Sequence, residues 1–215
     1  MKATPVKLAT SFLSCAALLI SMTSTSAWAK VKQDDSAEGR NGNWKSSLQG
    51  APSLEKCKKR VAANPKDADA QNDYGWALRQ NGDLKGAEAA LRESIRLNPD
   101  LAYSHSNLSV TLMDAGNKEE ALQQAKKAVE LDFKQPIFRV VLGNALAANG
   151  DAKSAIDAYK VAISIRPDYE NAFYNLGRVL DEDGQGTEAK LALSQALNLD
   201  PSDDRVVKLL DQLMK

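Results

Sequence analysis

An all-α solenoid of stacked helical hairpins is the fold class this sequence predicts, and three observations predict it. Gly82, Gly116, Gly150 and Gly184 recur every 34 residues without insertion or deletion. Each glycine separates two stretches whose apolar residues are spaced for one face of a helix. Small residues, chiefly alanine, fall at the same offsets in every unit. A fixed period of this kind marks a repeat architecture, in which each unit buries its apolar face only against its neighbours.

With the glycines at position fifteen, the units are residues 68–101, 102–135, 136–169 and 170–203. The first half of each predicts a helix with Tyr74, Gly75 and Leu78, then Leu108, Ser109 and Leu112, then Leu142, Gly143 and Leu146, then Leu176, Gly177 and Leu180 inward. The second half predicts another, with Ala87, Leu91 and Ser94; Ala121, Ala125 and Ala128; Ala155, Tyr159 and Ala162; Ala189, Leu193 and Ala196 inward. Between them the glycine supplies a positive φ that closes the first helix. Asp83, Asn117 or Asp151, directly after it, is placed to cap the second, and Asn117 with Glu120 has capping-box spacing. Pro99, Pro167 and Pro201 end the second helices because proline has no amide to continue the ladder.

These positions resemble the tetratricopeptide repeat family, whose pattern has small residues at eight, twenty and twenty-seven and proline at thirty-two; Gly177, Ala189, Ala196 and Pro201 meet all four. The resemblance implies a right-handed superhelix of four hairpins. Phe133 replaces the proline of the second unit, and Pro136 opens the next helix instead. The aromatic residue usual at position four survives as Phe173, against Gln71, His105 and Arg139 elsewhere.

Residues 53–67 read as a half-repeat helix with Leu54, Cys57 and Val61 inward. Residues 204–215 read as a capping helix, with Ser202 placed to cap it and Val206, Leu209, Leu210 and Leu213 inward. Residues 30–52, polar and aperiodic, are expected to form a disordered linker. Residues 1–29 have the order of a secretory leader: Lys2 and Lys7, an apolar run over 8–20, then Ala27-Trp28-Ala29 before Lys30. The run is short for a bilayer span, so cleavage and a periplasmic or secreted protein are expected, with a retained anchor as the alternative. Cys15 would leave with the leader, and Cys57 would serve as a buried apolar packer or bridge two chains.

Removing the leader takes Lys2 and Lys7 from the 28 basic residues and none from the 28 acidic ones, leaving 26 against 28. Such a balance gives no electrostatic drive toward nucleic acid or anionic lipid. His105 is the only histidine, and no phosphate loop, zinc spacing or nucleophile placed beside it accompanies it. A non-enzymatic protein without cofactor or metal is expected. Asp181-Glu182-Asp183 lacks calcium-loop spacing and reads as a solvated turn.

By the family resemblance, positions two, five, nine and twelve of the first helices line the concave surface. They are Asp69, Asn72, Trp76 and Arg79; Tyr103, Ser106, Val110 and Met113; Ile137, Val140, Asn144 and Ala147; Asn171, Tyr174, Arg178 and Asp181. Trp76, Tyr103, Val110, Met113, Ile137, Val140 and Tyr174 suggest an apolar floor that would take a peptide or a helix of a partner protein. The family's carboxylate clamp for acidic C-termini is absent, since Asn72, Trp76, Asn107, Ile137 and Val141 match it only at Asn107. The alternative function is a self-assembling scaffold, a homo-oligomer whose groove receives the segment around Trp44, or an assembly factor for a pilus, secretion or envelope complex.

Overall fold

The computed structural model describes residues 53–214. The expected leader, the expected linker with Trp44, and Cys15 lie outside the described residues. Among the described residues ten helices follow one another: α1 (Leu54–Ala63), α2 (Ala68–Gln80), α3 (Leu84–Leu97), α4 (Ala102–Asp114), α5 (Lys118–Leu131), α6 (Pro136–Ala148), α7 (Ala152–Ile165), α8 (Glu170–Glu182), α9 (Gly186–Leu199) and α10 (Asp204–Leu213). Among the described residues there is no strand, and no helix is long and apolar enough to cross a membrane. Helices α2 to α9 pair as four hairpins stacked side by side, each second helix also packing on the next hairpin's first.

The hairpin turn is the same each time. Gly82, Gly116, Gly150 and Gly184 all have φ between 79° and 86°. In the first turn the Gly82 amide donates to Arg79 and the Asp83 amide to Leu78 at 3.0 Å. That pair of bonds satisfies two carbonyls the helix end would otherwise orphan. Leu112, Leu146 and Leu180 accept the equivalent bond in the other three hairpins, so position eleven both fills the core and closes the turn.

Capping of the second helices is less uniform than the sequence suggests. Asp83 accepts from the Gly86 amide at 2.9 Å and Asp151 from the Ser154 amide at 3.1 Å. Asn117 makes no side-chain cap bond. The expected capping box is not formed either, because Glu120 accepts instead from Arg92 of α3 at 2.7 Å, where the donor carries a full opposite charge that a backbone amide lacks. At α10 the cap is Asp203, not Ser202, whose hydroxyl turns back to Asp200.

The core is an alternation of close approaches and fillers. Ala87, Ala121, Ala155 and Ala189 have no exposed surface, and neither do Ser94, Ala128, Ala162 and Ala196. Larger side chains there would overpack three helices at once, at a cost of about 1 to 3 kcal/mol. Helix α1 departs from this rule where it should. Its residue at the second of these positions is Arg60, exposed and ion-paired with Asp67 and Asp73. Cys57 is fully buried between α1 and α2, while Leu54 and Val61 are half-buried. At the other end Val206 of α10 is fully buried, and Leu209, Leu210 and Leu213 pack with Leu193 and Ala196.

Candidate peptide-binding surface

Successive first helices touch: α2 with α4, α4 with α6, α6 with α8, and α8 with α10. Among the described residues the second helices α3, α5, α7 and α9 make no such approach to one another. The first helices therefore lie on the tighter side of the stack, and the residues predicted for the groove lie on them.

In the middle of this side Tyr103 meets Phe138 edge-on, with ring centroids 4.9 Å apart. Val110, Met113 and Ile137 are half-buried around Ala125, Val141 and Ala145, leaving part of each side chain open. Ser106 and Val140 are buried, at 3% and 4% exposure. Val140 packs into the cluster that includes Ala172 and Leu176, because position five of the middle units falls where neighbouring first helices meet. The open apolar floor is therefore narrower than the sequence suggests, and it is carried by Trp76, Tyr103, Val110, Met113 and Ile137.

Polar groups at the N-terminal end already have partners. The Arg79 guanidinium stacks over Trp76, 4.9 Å from the ring centroid, and its Nε donates to Asp114 at 2.7 Å. Asn72 accepts from Asn107 at 2.9 Å. Nearby, the Ser104 hydroxyl donates to buried Ser94 at 2.7 Å, which donates in turn to the Ala68 carbonyl at 2.6 Å. Asp69 is largely exposed; partial desolvation of its carboxyl, then the nearby Asp67 and Asp73 carboxylates, pushes it above the usual range.

Farther along, Asn144 accepts from the buried Tyr159 hydroxyl at 2.8 Å, so its oxygen is committed to the core. Arg178 donates to Glu182 at 2.7 Å, Asp183 accepts from Gln185, and Asp181 and Ala147 are half-buried. His105 is buried; its Nε2 donates to the Pro99 carbonyl at 2.9 Å and its Nδ1 lies 2.7 Å from the Gln124 side-chain amide. Both ring nitrogens are thus occupied with helix packing.

The C-terminal end holds residues the sequence reading missed. Arg205 of α10 covers Tyr174, its Cζ 4.6 Å from the ring centroid, and donates to Asn171 at 3.3 Å. Glu170 and Asp203 flank the same guanidinium. One signal was available: Arg205 follows Asn171 by 34 residues, so the cap helix carries a groove position of its own.

Two family models, each described as tetratricopeptide repeat, match the chain, one over residues 146–213 and the other over 60–102 and 107–170. Human tetratricopeptide repeat protein 6 is 24% identical over 149 residues, 69% of this chain and 28% of that protein. The human protein named protein O-mannosyl-transferase TMTC1 is 26% identical over 163 residues, 72% of this chain and 18% of that protein. Among solved structures, the MamA protein is 28% identical with a TM-score of 0.58, covering 68% of this chain and 80% of that one. The chain thus spans under a third of either of these two curated relatives' length.

Proposed function

Because the chain belongs to the tetratricopeptide repeat family, by models that together take in residues 60–213 apart from 103–106, we propose that it is a non-enzymatic adaptor. It holds a peptide or an amphipathic helix of a partner protein against the first-helix side of the stack. The observation that carries this reading is the partly open apolar row Trp76, Tyr103, Val110, Met113 and Ile137, which crosses three successive first helices. Side chains of that size left open on one continuous face favour a bound segment. On this reading the protein acts after export, in the periplasm, which the leader pattern of residues 1–29 supports.

Position-specific crosslinking tests the reading. A photoreactive residue at Ala147 should give one discrete partner adduct, and one at Lys126, exposed on α5, should give none. The adduct should vanish with Trp76→Ala plus Met113→Ala while helicity is kept. Adducts of equal yield from both positions would remove the groove from the function. Lys30 at the N-terminus of the purified protein would support export, and retention of Met1 would count against it.

A further inference from the structure

The second helices lose their charge toward the C-terminal end of the stack. Positions twenty-two, twenty-five, twenty-six, twenty-nine and thirty of the unit are all exposed on α9. On α3 these positions include Arg92, Glu93 and Arg96, and on α5 Lys126, Lys127 and Glu130. On α7 only Asp157 and Lys160 are charged, and on α9 none is, the residues being Leu191, Ser194, Gln195, Asn198 and Leu199. Apolar surface replaces the charge. Leu191 is 66% and Leu199 41% exposed, and Val161 and Ile165 of α7 are each 38% exposed. The Ser194 hydroxyl donates back to the Lys190 carbonyl at 2.7 Å, and Ser164 of α7 does the same to Val161, so neither hydroxyl proton is offered outward.

The cap helix shows that this is not a general property of the stack end. Helix α10 also exposes Val207 and Met214, but Asp204, Lys208 and Asp211 are exposed among them, as suits a solvated cap. On α9 no charge interrupts the exposed residues from Leu191 to Leu199, and such a surface favours being covered.

The spacing says by what. Leu191, Gln195 and Leu199 follow at four-residue intervals and so form one row along α9. The row reads the same in both directions, with an amide between two leucines. Laid antiparallel on a second copy about a two-fold axis at Gln195, it brings each Leu191 level with the Leu199 of the other chain. The two Gln195 amides then meet, and each can donate and accept. At the same position α3 has Glu93 and α5 has Lys127, each of which would face its own like charge across such an axis.

We propose that the chain forms a two-fold dimer through the outer face of α9, flanked by α7. The two helices have 14 residues each. At about 21 Å long and about 10 Å apart they offer, from both chains together, on the order of 1,000 Å² of buried surface. That lies at the low end of specific interfaces, so dissociation in roughly the micromolar range is expected. This goes beyond the adaptor reading and does not need it: the first helices stay uncovered, and the dimer presents two grooves.

The test is sedimentation equilibrium of the full chain over a range of concentrations. The unaltered protein should show a reversible equilibrium between monomer and dimer. Gln195→Glu and Gln195→Lys each put like charges on the axis and should each weaken the dimer at least tenfold, whereas an equal mixture of the two should restore it. Leu191→Asp should leave monomer. These sites are exposed, so helicity should be kept; if a variant is less stable, restoration in the mixture still decides, since mixing does not repair folding. A monomer at concentrations up to about 1 mM, where even weak contacts are populated, overturns the proposal and leaves the face to a foreign helix. A dimer indifferent to charge at Gln195, or a mixture that does not recover it, overturns it too. So does a dimer that survives Leu191→Asp but is lost with Trp76→Ala plus Met113→Ala, which would place self-association in the groove. Crosslinks from Ala147 to a partner protein bear on the adaptor reading alone.

Discussion

A Cβ placed on Gly143 would stand 2.5 Å from Cε1 of Tyr159, its partner across the third hairpin. Gly75 faces Leu91 and Gly177 faces Leu193 in the same way, whereas the second hairpin pairs Ser109 with Ala125, both fully buried. Positions eight and twenty-four therefore divide one fixed volume, glycine opposite a large residue or a hydroxymethyl group opposite a methyl. Gly143→Ala should cost about 1 to 3 kcal/mol by overpacking. In a Tyr159→Ala background the same change should cost little, because the opposing ring is gone. Urea unfolding of the four proteins gives the coupling, and equal costs of Gly143→Ala in both backgrounds would show that the two sites do not share a volume.

Gly150 separates backbone strain from packing. Its φ is 84° and nothing lies within 4 Å of a Cβ added there. Gly150→Ala should therefore cost only the left-handed penalty, about 1 to 2 kcal/mol, and Gly150→Asn less, since asparagine tolerates that region. Thermal melts of the two variants rank them, and a larger loss for asparagine would contradict this account.

The same two glycines show what the sequence made legible. Phase, turn chemistry and the small positions of the core depend on neighbours within one hairpin, so a 34-residue period exposes them. Ser106 and Val140 were harder, because whether position five faces the groove or an adjacent helix depends on how closely neighbouring first helices approach. The Glu170, Asp203 and Arg205 cluster was harder still. Its members come from a hairpin and a cap helix, and only the spacing of Arg205 from Asn171 hinted that they meet.

Helix capping predicts a second asymmetry among the hairpins. Asp83 and Asp151 each bond an amide of the helix they precede, and Asn117 does not. Asp83→Ala and Asp151→Ala should each lose about 0.5 to 2 kcal/mol, and Asn117→Ala should fall below that range. Amide hydrogen exchange in the first turns of α3, α5 and α7 would locate the losses. A comparable loss at Asn117 would mean that it caps in solution.

The carboxylate pair at the C-terminal cap predicts a pH dependence of definite sign. Glu170, raised to about 7 by burial and then by Asp203, holds its proton more tightly folded than unfolded. Its contribution is fully present below an unfolded value of about 4.3 and is lost as pH rises through 7. Asp203, lowered to about 2, contributes in the opposite sense: its stabilisation is present above about 3.9 and is lost as pH falls toward 2. Glu170→Gln removes the first effect, and Asp203 titrates well below pH 5, so the stability of the variant relative to the unaltered protein should improve from pH 5 to pH 8. Denaturant midpoints at the two pH values check this, and a difference that stays constant would mean Glu170 titrates normally.

Cys57 reports on the end of the stack. The thiol is fully covered by the packing of α1 on α2, and burial, followed by the nearby Asp73 carboxylate, pushes its pKa above the usual thiol value. Both effects slow attack on a disulfide reagent, since the thiolate is the reactive form. Helix α1 is a ten-residue element that packs on α2 alone among the described helices. It should therefore open without the remaining hairpins, as terminal units of repeat proteins do. Labelling of Cys57 should be slow under native conditions and should accelerate at denaturant concentrations too low to alter the bulk helix signal. Arg60→Ala, which cuts the ion pairs from α1 to Asp67 and Asp73, should speed labelling while leaving the main unfolding midpoint nearly unchanged. Labelling that tracks only global unfolding would show that α1 belongs to the same cooperative unit as the four hairpins.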